Sequence, residues 1–115
     1  MKIGYARVST VHQDLETQKE LLKEEGCKEI YVEKVTGTST APRTQLKELM
    51  KHVREGDEVI VTKIDRLARS IIDLNKIVSE LNEKGVSIQF LKDNMTFKAG
   101  EEQNSMQTLL FNVLG

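Results

Sequence analysis

A single cysteine, Cys27, leaves this 115-residue chain without an internal disulfide or a multi-cysteine zinc site, which fits a reducing cytoplasm. No apolar run approaches the roughly 20 residues of a membrane-spanning helix, and Met1-Lys2-Ile3-Gly4 is not a signal peptide. Internal repeats, low-complexity segments and interdomain linkers are all missing, so the length reads as one domain. A formal net charge of −1 gives no global sign of a nucleic-acid partner. Such a partner would have to be held by a local cluster, or by a part of the protein outside these residues. What is present is ordinary: 38% hydrophobic and 30% charged residues, enough for a packed core.

Along the chain, strand and helix signals alternate. Lys2 to Val8 is rich in β-branched and aromatic residues and reads as a first strand. Asp14 to Glu25 reads as a helix, with Leu15, Gln18, Leu21 and Leu22 along one side and Gly26 as its stop. Lys28 to Glu33 is a short second strand, and Thr36 to Arg43 is small, polar and loop-like. Leu46, Leu49, Met50 and Val53 recur at helical spacing and predict a helix over Arg43–Glu55. Val59-Ile60-Val61 is a continuous apolar run, as in a strand buried on both faces. A long helix carrying Ile71, Leu74, Val78 and Leu81 follows, closed by Gly85. Val86 to Leu91 is another strand, Asp93-Asn94 a turn, and Met95-Thr96-Phe97 a short edge strand. The order predicts an α/β fold in three layers: a mostly parallel sheet of four to five strands with helices on both faces.

In such sheets ligands bind outside the carboxyl ends of the strands. Three stretches fall there. The first supplies Tyr5, Arg7 and Ser9, with Gln13 and Gln18 soon after; the second supplies Ser39 and Arg43; the third supplies Lys63, Asp65, Arg66 and Arg69. Taken singly, each has a plain structural explanation. Ser9 or Thr10 can cap a helix, Asp65 can cap a helix starting at Arg66, and Arg66 and Arg69 can be a solvated face. Together, Arg7, Arg43, Arg66 and Arg69 around one hydroxyl suit a phosphodiester, whose transition state gathers negative charge that planar forked donors bind. No carboxylate cluster for magnesium accompanies them, so arginines would take the metal's place.

These residues carry a resemblance. Tyr5-Ala6-Arg7-Val8-Ser9-Thr10, Gln13, Gln18, the Gly37-Thr38-Ser39 loop with Arg43, and Asp65-Arg66-Leu67-Ala68-Arg69 are similar to the catalytic domain of the serine recombinases, the resolvase/invertase family. The match runs in order along nearly the whole chain. It implies a site-specific DNA recombinase that uses no metal or nucleotide cofactor. Ser9 would attack a DNA phosphodiester and form a 5′-phosphoserine while the 3′-hydroxyl leaves. Arg7, Arg66 and Arg69 would bind the scissile phosphate, and Arg43 would be the fourth arginine. Asp65 would orient the arginines or manage protons, with Tyr5, Gln13, Gln18, Ser39 and Lys63 in support. Neither His12 nor His52 falls where a general base is needed.

The resemblance also implies partners: double-stranded DNA, a homodimer and a synaptic homotetramer. Residues 1–100 would form the catalytic domain, and 101–115 would open a long dimerisation helix along Met106, Leu109, Leu110, Val113 and Leu114. Family members continue that helix and add a helix-turn-helix domain that reads DNA. The expectation is therefore a truncated catalytic domain that self-associates through 101–115 or leaves that segment without its partner. Two rivals share the architecture. A receiver-type signalling domain would use Asp65 but needs an acidic pair where Arg7 and Ser9 stand. A cysteine phosphatase would use Cys27, which has no anion-binding glycine loop and reads as a packing residue.

Overall fold

In the computed structural model the described residues are 1–9, 13–35 and 43–99. Five strands form one sheet: β1 (Lys2–Ser9), β2 (Glu29–Val35), β3 (Glu58–Val61), β4 (Ser87–Phe90) and β5 (Met95–Phe97), in the order β2-β1-β3-β4-β5. The first four run parallel and β5 returns antiparallel. Three helices connect them: α1 (Gln13–Glu24), α2 (Thr44–His52) and α3 (Ile71–Glu83). The expected α/β sandwich is present, with five strands.

The two faces are unequal. Ile3, Tyr5, Val59, Val61, Ile88, Phe90 and Phe97 face a large core built with Leu46, Leu49 and Val53 on one side and Leu74, Ile77, Val78 and Leu81 on the other. The opposite face carries a small cluster of Ala6, Leu22 and Ile60, with Cys27, Ile30 and Leu91 packed beside it. Val59, Ile60 and Val61 are fully buried, divided between the two clusters as a two-sided strand requires. Gly4 lets α1 come close: a Cβ there would lie 3.0 Å from Leu22 Cδ1 and 3.3 Å from Cys27 Sγ.

Several boundaries differ from expectation for local reasons. The second helix stops at His52, because Val53 turns extended (φ −68°, ψ 149°) and its N–H closes the last turn onto Leu49 O at 3.0 Å. Asp65 caps no α-helix. Ile64–Arg66 is a single 3₁₀ turn, and α3 begins later, where Ser70 Oγ accepts from Asp73 N–H at 3.1 Å. Asn94, at φ 53°, makes the turn into β5. Beyond β5, Ala99 N–H donates at 3.2 Å to the Oγ of Ser87, the first residue of β4.

The chain leaves β1 toward β2 and later returns to β3 on the other side of β1, so the connections diverge between β1 and β3. That divergence opens a crevice at the carboxyl ends of the two strands, where α/β sheets bind ligands.

Candidate active site

Arg7, near the end of β1, bridges the crevice by donating from Nη2 to the carbonyl of Asp65. Gln18 on α1 is buried, and its Nε2 donates to the carbonyl of Arg7 at 3.2 Å, tying the strand end to the helix that follows it. Ser9 holds the last ladder position of β1, in register with Val35. The third stretch is anchored from the far side, where Ile64 N–H donates to Asp93 Oδ2 at 2.7 Å.

Arg43 reaches the same place from the start of α2. Its Nη1 donates to Asp73 Oδ2 at 2.6 Å and to the carbonyl of Leu67 at 3.3 Å, and its Nη2 donates to Asp73 Oδ1 at 3.0 Å. Asp73 Oδ2 also accepts the backbone N–H of Arg69 at 2.8 Å. The Arg43 hydrogen bond holds the Asp73 carboxyl below its ordinary range, and the same bond raises Arg43. Arg7 shifts the other way. Burial lowers it first, and the positive charges of Arg69 and Arg43 lower it further. Arginine stays charged regardless; burial accounts for most of the shift, and the smaller part from Arg69 and Arg43 shows that these guanidiniums lie within electrostatic reach of Arg7.

The sequence-predicted residues divide into three sets. Arg7, Arg43, Asp65 and Arg69 are brought together, with Arg66 on the same turn, its Nε 4.0 Å from Asp65 Oδ1. Asp65 holds Arg7 through its backbone carbonyl, while its carboxylate is largely exposed beside Arg66 Nε. Tyr5 and Lys63 sit outside that group. Tyr5 is fully buried, donates to Glu33 Oε1 at 3.4 Å, and has its phenol pushed far up by burial; Lys63 is exposed ahead of the 3₁₀ turn. Gln13 opens α1 by its backbone, and Ser39 lies outside the described residues.

Sequence reasoning missed two carboxylates. Asp73 takes Arg43 with both carboxylate oxygens, and Ser70-x-x-Asp73 is a recognisable helix-start pattern that signalled it. Glu33 is buried in β2, where its Oε1 accepts the N–H groups of Gln45 (2.9 Å) and Leu46 (3.1 Å) at the positive end of α2. One of two glutamates in a strand that also carries Lys34, it gave no such sign.

Cys27 fits its packing role: burial raises its thiol to about 11, the opposite of an activated nucleophile. Among the described residues no cluster of three or more His, Cys, Asp or Glu could hold a metal, and no helix is long and apolar enough to cross a membrane.

A sequence model described as "Resolvase, N terminal domain" matches residues 2–115. The chain is 40% identical over 114 residues to the transposon Tn501 resolvase of Pseudomonas aeruginosa, covering 99% of this chain and 58% of that protein. It is 37% identical over 115 residues to the serine recombinase gin of Escherichia phage Mu, covering 100% of this chain and 56% of that one. The chain thus spans little more than half the length of these relatives. Among solved structures, the N-terminal catalytic domain of TP901-1 integrase superposes with a TM-score of 0.74 at 21% identity, over 99% of this chain and 95% of that one. A resolvase family site-specific recombinase from Streptococcus pneumoniae superposes with a TM-score of 0.76 at 23% identity, over 99% and 87%. At such identities the structural likeness speaks for the fold.

Proposed function

The chain belongs to the resolvase N-terminal domain family, and from that membership we propose that it is the catalytic domain of a serine-type site-specific DNA recombinase. The observation that carries the reading is the convergence of Arg7, Arg43 and Arg69 at the carboxyl ends of β1 and β3, close enough for each to perturb Arg7. Ser9 follows Arg7 by two residues at the end of the same strand. In the proposed reaction the Ser9 hydroxyl oxygen bonds to phosphorus as the bond to the 3′-oxygen breaks. The hydroxyl proton leaves Ser9 and the 3′-oxygen takes one up. The 5′-phosphoserine conserves the phosphodiester's energy, and attack by a 3′-hydroxyl reverses the step.

Arg7, Arg66 and Arg69 contact the scissile phosphate in this reading, joined by Arg43. Forked donors stabilise the charge that gathers on the equatorial oxygens. Gln18 and the Asp65 carbonyl fix Arg7; Tyr5 and Glu33 fix the start of α2, from which Arg43 projects. Double-stranded DNA is the substrate. Residues 1–100 form the catalytic unit, and residues 101–115 begin the helix through which copies pair as dimers and then synaptic tetramers in the cytoplasm.

Incubating the intact protein with fragmented DNA of its host, followed by detergent and digestion, tests the reaction. The expected product is a protein–DNA adduct resistant to detergent, with phosphate mapped by mass spectrometry to Ser9. An adduct that survives Ser9→Ala, or none in the wild type, overturns it.

A further inference from the structure

Arg43 has five N–H donors, and their disposition is uneven. Both groups on its terminal edge, one from Nη1 and one from Nη2, go to the two oxygens of Asp73 (2.6 and 3.0 Å). The second Nη1 hydrogen goes to the Leu67 carbonyl at 3.3 Å. Two donors remain without a partner among the described residues: Nε–H and the second Nη2–H. They lie side by side and form the guanidinium's other bidentate edge, the one matched to two phosphate oxygens.

Asp73 does more than start a helix. The cap of α3 is already made by Ser70 Oγ, and a cap-like acceptor for the Arg69 N–H needs one oxygen only. Asp73 instead uses both oxygens on Arg43 while Oδ2 also takes Arg69 N–H at 2.8 Å. One carboxylate thereby fixes a guanidinium from α2 and the backbone of a second arginine ahead of α3. The pair is mostly shielded from water, with side-chain exposures of 20% for Arg43 and 16% for Asp73, so its geometry is better defined than that of a surface ion pair.

Building on the recombinase reading, we propose that Asp73 is a positioning residue for the phosphate clamp. It grips the terminal edge of Arg43 and the N–H of Arg69 so that Arg43 presents its Nε/Nη2 edge to the DNA phosphodiester. Asp73 touches no substrate itself. It acts by removing rotational freedom from Arg43 before DNA arrives, as supporting groups around a reacting centre do.

Asp73→Asn is the sharp test, because asparagine keeps one oxygen for the Arg69 N–H and loses the second acceptor for Arg43. With the intact protein and the host DNA captured on Ser9, adduct formation should slow by about 10- to 100-fold at a temperature where the variant and the wild type are both fully folded. In an Arg43→Lys background, where no fork remains to be held, Asp73→Asn should add less than about twofold by the same reasoning. A rate within twofold of wild type, or the same drop in both backgrounds, overturns the proposal. Wild-type protein that forms no adduct instead defeats the recombinase reading and leaves the positioning claim to a second measurement.

That measurement needs no variant and decides the matter if Asp73→Asn fails to fold. In the wild-type chain, the Arg43 Nη protons should be resolved by NMR, because rotation is blocked, and should stay resolved when inorganic phosphate shifts Nε–H. Collapse of those signals on adding phosphate would show the anion displacing Asp73. Asp73 would then be a competitor for Arg43, and the proposal would fall.

Discussion

The two ends of the sheet are built from different materials. At the amino end the loops are tied chiefly backbone to backbone, Glu58 N–H to Met1 O (2.9 Å), Lys28 N–H to Lys2 O (3.0 Å), Ser87 N–H to Asp57 O (3.1 Å) and Gly56 N–H to Gly85 O (3.0 Å), with Asp57 adding side-chain bonds to the Met1 amino group (3.3 Å) and Arg54 N–H (2.9 Å). Gly26, Gly56 and Gly85 turn the chain there with φ of 94°, 92° and 80°. At the carboxyl end, side chains hold the loops: Arg7 on the Asp65 carbonyl, Asp93 under Ile64, Asp73 between Arg43 and Arg69. Backbone closure fixes a fold with little dependence on side-chain identity beyond glycine. Closure by guanidiniums and carboxylates spends stability on charges that a ligand can use. Substitutions at the amino end should therefore cost folding, and those at the carboxyl end should cost chemistry.

The largest effect expected is at the carboxyl end. Ser9→Ala should abolish the DNA adduct, and Arg69→Ala should abolish cleavage while moving stability by no more than about 0.5 kcal/mol, as for other exposed side chains. Arg69→Lys should rescue little, since an ammonium lacks the planar fork. Adduct assays beside denaturant titrations check both halves, and a large stability loss in Arg69→Ala would break the division between the ends.

Next in size is Gly85→Ala at the amino end. A side chain there meets a left-handed backbone and Glu55 Cγ at 2.7 Å, so about 2 kcal/mol of stability should go. The adduct rate at a temperature where the variant is folded should not change. Glu33→Gln sharpens the boundary from within. It keeps one acceptor for the α2 amides but removes the charge at their positive end, and about 1 kcal/mol should be lost by denaturant titration. A fall in adduct rate is also expected, because α2 carries Arg43.

The smallest effect is on the acid limb of stability. Asp73 has a carboxyl lowered in the folded state by Arg43. Its contribution is complete above the unfolded carboxyl range, about pH 4, and is lost as pH falls through the lower folded value. Asp73→Asn should flatten that limb, as measured by melting temperature between about pH 2 and 6, and leave the neutral range nearly level.

How far the sequence could be read follows the same division. Strands and helices were legible because burial leaves a periodic imprint, most plainly in Val59-Ile60-Val61 and in the Leu46, Leu49 and Val53 spacing. Arg7, Arg43 and Arg69, which the structure places within electrostatic reach of one another, were legible as neighbours because strand ends converge whatever the loops do. Asp65 and Asp73 were not separable. Both stand near Arg66 and Arg69 in sequence, and only the later start of α3 puts Asp73, rather than Asp65, opposite Arg43. Glu33 left no imprint because its partners are backbone amides 12 and 13 residues away. The readings on Ser39 and on residues 101–115 lie outside the described residues.

The reversed direction of β5 has a practical consequence. Phe97 pairs with Ile88, and Ala99 reaches Ser87 at the opening of β4, so the chain is carried back to the end remote from the arginines. A four-residue strand spans about 13 Å, and that length separates the exposed Lys98 from the crevice. A dye or surface tether joined through Lys98→Cys would stand clear of arriving DNA, with Cys27 a poor competitor for the label because its thiol stays protonated up to about 11. The fold in this way provides a handle at one end from which events at the other can be watched.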